Sequence, residues 1–155
     1  MKKLFGVLLL VLGACVFAQA LTRVEFFEKV KENFEIENYE EVLNLSDTML
    51  LQKMSKTQEA EIYYVKAQAC YKLDRFDLAL EYADKSLAIQ KNSPGVHDLK
   101  GKIFIALYKK SDDSENLRKA IVAFDESLKI DQRFFGSHLY RGLARYYLFS
   151  SQYSE

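Results

Sequence analysis

Between Ala60 and Ser93 apolar residues recur with the period of an α-helix, stop at Asp74-Arg75, and resume with the same period. Tyr63, Ala67 and Cys70 fall at i, i+4 and i+7; Phe76, Ala79, Ala83 and Ser86 fall at i, i+3, i+7 and i+10. Each set occupies one face of a helix, so the stretch predicts two helices joined by a short turn. Ala67, Ala79 and Ala83 have little side chain to bury. They mark where the two helices approach closely, with Tyr63, Phe76 and Leu87 filling the space around them.

The flanking segments can be laid onto this hairpin. Upstream, Thr22-Arg23-Val24-Glu25 has the form of a capping box and opens a helix running to about Ile36; Asn38 with Glu41 opens a second, carrying Tyr39, Val42, Leu45 and Met49. At an offset of 37 residues Phe26 matches Tyr63, Val30 matches Ala67 and Asp47 matches Asp84. Ser55-Lys56-Thr57-Gln58 is another capping box. Downstream, Ser93-Pro94 combines an N-cap with proline at the first helical position, and His97 and Gly101 stand 34 residues after Tyr63 and Ala67. That helix is expected to run to about Lys110, followed by a turn enlarged by about seven residues, Lys110 to Asn116. Asp125 to Ile130 then repeats Asp84 to Ile89 almost residue for residue. A further unit opens near Phe135, with His138 and Gly142 another 41 residues on, and Ser151 to Glu155 reads as the turn and first residues of one more helix.

A small residue at the eighth position, alanine at the twentieth and a small residue at the twenty-seventh, here Ala67, Ala79 and Ser86, resemble the pattern of a tetratricopeptide repeat. The resemblance covers Thr22 to Glu155 and implies an all-α, right-handed superhelix of antiparallel helix-turn-helix repeats at about 22–54, 55–92 and 93–133, with a partial fourth at 134–155. Lys66, Lys100 and Arg141 depart from it, standing where the family has an apolar seventh residue. The proline that usually closes a repeat is also replaced, by Lys91 and Gln132. Because such repeats bury their faces only against neighbours, the apolar Leu139, Leu143, Tyr146 and Phe149 suggest either that the sequence is a fragment of a longer chain or that this end meets a partner.

Composition narrows the class. A chain 49% hydrophobic with one proline and six glycines is globular and offers no strand signal. Its 22 basic residues are balanced by 22 acidic ones, so there is no basic field for nucleic acid. Residues 1–20 read as an export signal: Lys2 and Lys3, an apolar run from Leu4 to Val16, and an A-x-A site ending at Ala20. The run is shorter than the roughly 20 residues a membrane span needs. Leu12-Gly13-Ala14-Cys15 competes with cleavage at Ala20, since it resembles a lipoprotein signal that would leave a lipidated Cys15 on the membrane surface. Either route places the chain in the periplasm or cell envelope.

No phosphate-cradling glycine loop, nucleophile elbow or paired-cysteine spacing is present, and no catalytic residue, cofactor or metal is expected. His97 and His138 take the packing position of Phe26 and Tyr63. Cys70 lies on a buried stripe. Asp112-Asp113-Ser114-Glu115 lacks the ligand spacing of a calcium loop and reads as a turn favouring a helix N-terminus.

A binding surface follows from geometry. With Tyr63, Ala67 and Cys70 facing the paired helix, Tyr64, Gln68 and Tyr71 form a second stripe about 100° around the axis. In similar repeat arrays that stripe lines the concave groove. Its counterparts are Phe27, Lys31 and Phe34, then Asp98, Lys102 and Ile105, then Leu139, Leu143 and Tyr146. Tyr71, Phe34, Ile105 and Tyr146 have packing between repeats as the competing role. The family's lysine and asparagine carboxylate clamp is absent, Tyr64 and Gln68 standing in its place. The resemblance implies a non-catalytic interaction scaffold that captures a protein or peptide segment. Its alternatives are the N-terminal module of a larger enzyme or receptor, and a self-associating lipoprotein assembly factor.

Overall fold

The computed structural model describes residues 21–152, which form seven α-helices and no strand. The leader and Cys15 lie outside the described residues. The helices are α1 (Arg23–Glu35), α2 (Tyr39–Leu50), α3 (Lys56–Lys72), α4 (Phe76–Ile89), α5 (Pro94–Ser111), α6 (Ser114–Ile130) and α7 (Phe135–Ser151). Each packs on the next in chain order. Contacts also join α3 to α5 and α5 to α7, so the first helices of successive hairpins lie side by side.

Both capping boxes form. Thr22 Oγ1 accepts from the Glu25 amide at 3.3 Å while Glu25 accepts from the Thr22 amide at 2.9 Å, and Ser55 with Gln58 repeats the arrangement at 3.3 and 2.9 Å. The reciprocal bonds satisfy amides that a helix start leaves without partners. The turns from α1 to α2 and from α3 to α4 share one geometry. Glu37 and Asp74 adopt φ of 58° and 55°, and the Asn38 and Arg75 amides reach back to the Asn33 and Cys70 carbonyls at 2.8 and 2.9 Å. This closes the first helix by a left-handed residue, without glycine.

The third hairpin differs from expectation. Instead of an enlarged turn from Lys110 to Asn116, α5 runs to Ser111 and α6 begins at Ser114, leaving Asp112 and Asp113 between them. No glycine or proline interrupts the segment, so the added residues extend both helices. Asp112, at φ 57°, stops α5, and Asp113 Oδ1 accepts from the Glu115 amide at 3.0 Å to start α6. The acidic residues therefore cap a helix, and no cluster of metal-ligating side chains occurs among the described residues.

Three apolar clusters run along the array, one at each junction. Phe26, Val30, Val42, Ile62 and Val65 pack the first; Ala67, Cys70, Phe76, Ala83, Val96 and Ile103 the second; Ile105, Leu117, Ala120, Phe124 and Ala144 the third. Cys70 is a buried member of its cluster, and burial pushes its thiol pKa up, away from the reactive thiolate. Gly101 marks a close approach: a Cβ there would come within 2.5 Å of the Phe124 ring, which also stacks on Tyr140 at 6.2 Å.

Lys66, Lys100 and Arg141, the departures from the family pattern, share one role. Lys66 pairs with Asp47, Lys100 with Asp84 at 2.6 Å, and Arg141 with Asp125 at 2.6 Å. Every pair ties the second helix of one hairpin to the first helix of the next, so a ladder of charge replaces an apolar contact. Lys66 is the most buried of these cations, its side chain 6% exposed, and its Nζ also lies 4.3 Å from the centre of the Tyr82 ring. Burial opposes its charge, but hydrogen bonds to Asp47 and Tyr82 outweigh that and hold its pKa above the ordinary 10.5.

Candidate functional site

A groove of about 560 Å³ opens between α1 and α3, and the side chains at its walls include Phe27, Lys31 and Phe34 from one helix and Tyr64 and Gln68 from the other. These are residues of the stripe inferred from helical spacing. Val30 and Val65 form part of the floor, and Arg23 and Glu61 bridge the two helices at 2.7 Å. Arg23 lies 5.4 Å above the Phe27 ring, which adds a cation–π contact to the ion pair. Lys31 is exposed and holds Glu35 only loosely, at 3.9 Å, leaving its ammonium to solvent. The Gln68 amide has no hydrogen-bond partner among the described residues. One amide without a partner among the described residues and one loosely paired, solvent-facing ammonium thus stand above an apolar floor.

Tyr64 is half-buried, its hydroxyl over the first turn of α5, where a Cβ on Gly95 would sit 3.0 Å from it. Burial and the nearby charge of Asp98 push the phenol pKa up, so it stays a neutral hydrogen-bond donor and acceptor. Asp98 and Lys102 sit deeper than the stripe suggests. Asp98 is 4% exposed, with Oδ1 2.8 Å from the Ser137 hydroxyl and Oδ2 2.7 Å from Lys102 Nζ. Ser137 in turn lies 2.8 Å from Ser127. This carboxylate is occupied within the junction of α5, α6 and α7. The Lys102 ammonium also lies 4.7 Å from the centre of the Tyr140 ring, so its charge is engaged twice.

The residues offered packing as an alternative divide in the same way. Phe34 makes an edge contact with Tyr39 at 5.5 Å, Tyr71 tilts against Phe76 at 6.2 Å, and Ile105 is buried. Tyr146 is 65% exposed. His97 and His138 occupy matching places, each with Nε2 on the carbonyl six residues earlier, Lys91 at 3.3 Å and Gln132 at 2.8 Å. They brace the turns between hairpins. The Arg23–Glu61 bridge was not foreseen, because an ion pair spanning 38 residues leaves no trace in the periodicity of either helix.

No protein-family model matches the sequence, and no curated protein matches it. Among solved structures the chain is similar to the NMR structure of the first TPR domain of the human RPAP3 protein, with a TM-score of 0.71 and 17% sequence identity, over 85% of this chain and 96% of that one. At that identity the likeness is one of fold. Hairpins stacked in register and the match over nearly the whole of that domain give the same result: the chain has the all-α fold of a tetratricopeptide-repeat domain.

Proposed function

We propose that the protein is a non-catalytic scaffold that binds a segment of another protein in the groove between α1 and α3. The observation that carries this reading is the convergence of Phe27, Lys31, Phe34, Tyr64 and Gln68 on one open groove. Aromatic walls supply apolar area to a ligand, and the Gln68 amide and Tyr64 hydroxyl can bond a peptide backbone. Lys31 favours a segment carrying a carboxylate. The leader pattern of residues 1–20 supports a site of action in the bacterial cell envelope, by release after Ala20 or by a lipid on Cys15.

Peptides selected from a displayed random library on the purified chain provide the test. Binders are expected to lose at least tenfold in affinity on Tyr64→Ala or Lys31→Glu, and to be unaffected by Val122→Ala on α6. Binders that respond to Val122→Ala and ignore Tyr64 and Lys31 would place the interaction surface elsewhere.

A further inference from the structure

The second and third hairpins share one register. On the first helix of each, Tyr63 and Lys66 become His97 and Lys100 at an offset of 34 residues; on the second, Tyr82 and Lys85 become Ala123 and Glu126 at an offset of 41. Contacts follow the register, since Lys66 and Lys100 each reach an aspartate of the preceding hairpin. In the second hairpin the Tyr82 ring fills the space beside that lysine. It stacks on Tyr63 with centroids 6.3 Å apart and planes 14° apart, and the Lys66 and Lys85 ammoniums lie 4.3 and 5.1 Å from its centre. Tyr82 and Lys66 are also hydrogen-bonded. In the third hairpin no ring takes the place of Tyr82. His97, Lys100, Ala123 and Glu126 instead line an open pocket of about 340 Å³ between α5 and α6, where Phe104 and Val122 add apolar wall. In the stack α4 precedes these two helices and α7 follows them. The opening therefore comes from a missing ring and not from a missing helix.

Charge restricts what fills it. Lys100 pairs with Asp84 at 2.6 Å, as Lys66 pairs with Asp47, but among the described residues no ring lies over its ammonium. Glu126, with Oε1 on Lys129 at 2.5 Å, stands where the second hairpin has the Lys85 ammonium. A group entering the pocket thus meets a cation on one helix and a carboxylate on the other. A phenol suits both, because its ring face attracts the cation while its hydroxyl accepts from an ammonium and donates to a carboxylate. We propose that this pocket binds a tyrosine side chain of a partner protein, its ring standing against Lys100 and His97 where Tyr82 stands one hairpin earlier. The pocket shares no residue with the α1–α3 groove, and the proposal does not depend on that groove.

N-acetyl-tyrosinamide is the probe, titrated into the intact purified chain and followed by backbone amide shifts in NMR spectra. Saturation is expected in the millimolar range, with shifts centred on His97, Lys100 and Ala123; a lone ring binds too weakly for a displayed peptide held by it alone to be retained. Ala123→Tyr, which rebuilds the Tyr82 arrangement within the chain, should abolish binding and leave the thermal midpoint unchanged or raised. Lys100→Met should weaken binding about fivefold through the lost cation–π contact, and N-acetyl-phenylalaninamide should bind the parent more weakly than the tyrosine amide. No saturation up to the solubility of the probe would overturn the proposal, as would shifts centred on the α1–α3 groove or binding that survives in folded Ala123→Tyr. If Ala123→Tyr does not fold, an unchanged affinity in Lys100→Met overturns it. Equal binding of the phenylalanine amide would overturn the choice of a phenol, and a dimer of the chain dissociated by Ala123→Tyr would overturn the choice of a partner by making a second copy the occupant.

Discussion

Replacing Phe124 with alanine is expected to destabilise the chain by about 3–5 kcal/mol, the cost of a cavity left by a buried aromatic ring. The ring is fully buried between Gly101 on α5 and Tyr140 on α7, so its loss loosens three helices together. The reciprocal change, Gly101→Ala, sets two effects against each other. Alanine is the better helix former by about 1 kcal/mol, but its Cβ would overlap the Phe124 ring at 2.5 Å, and overpacking of this kind costs about 1–3 kcal/mol. Overpacking wins, and Gly101→Ala is expected to be destabilising. In a Phe124→Leu background the clash is relieved, so the two changes should cost less together than their separate costs summed. Urea unfolding of the four proteins measures the cycle, and simple additivity would refute the contact.

The second large effect belongs to Asp47→Ala. Removing this carboxylate leaves the Lys66 ammonium buried, with only Tyr82 against it, and is expected to cost about 1.5–3 kcal/mol, the range for losing a hydrogen bond to a charged group. The same change on the next rung, Asp84→Ala, should cost less than about 1 kcal/mol, because the Lys100 side chain is 23% exposed and water replaces the lost partner. Lys66→Met removes the charge along with the pair and should stay within about 1.5 kcal/mol of the parent. The pH dependence carries the same signature. The folded-state pKa of Lys66 lies above its unfolded value, so its stabilisation is complete below about 10.5 and is lost as pH rises through the folded value. Thermal melts of Lys66→Met between neutral and alkaline pH should therefore fall less steeply than those of the parent.

Local rules made much of the fold readable. The boxes at Thr22 and Ser55 and the proline after Ser93 set three helix starts, because capping depends on residues within one turn. The repeat offset carried Asp47 to Asp84 and His97 to His138 correctly, since stacked units reuse one set of contacts. The acidic residues were read correctly as a turn into a helix start, but the length of that turn was overestimated, because helix length between two caps depends on stop signals, and neither Lys110 nor Ser111 is one. The basic residues at the seventh position looked like defects for a different reason. Their aspartate partners lie 16 or 19 residues away on another helix, beyond the reach of periodicity.

The groove was legible in part. Spacing alone put Lys31, Tyr64 and Gln68 on one face, and the structure brings them together. The same rule put Asp98 on that face, but α5 is enclosed by α4, α6 and α7 and has less free surface than a helix at the end of the array. One-face reasoning holds best for α1, which has fewer neighbours. The open part of the first-helix face accordingly lies toward the N-terminal hairpins.

Site-specific photocrosslinking in the native host tests the central claim most directly. A photoreactive residue at position 68, in the groove, is compared with one at position 122, on the exposed side of α6. Groove capture predicts a discrete crosslinked product from position 68 that disappears on Tyr64→Ala, and none of the same mass from position 122. The same product from position 122 and none from position 68 would contradict it.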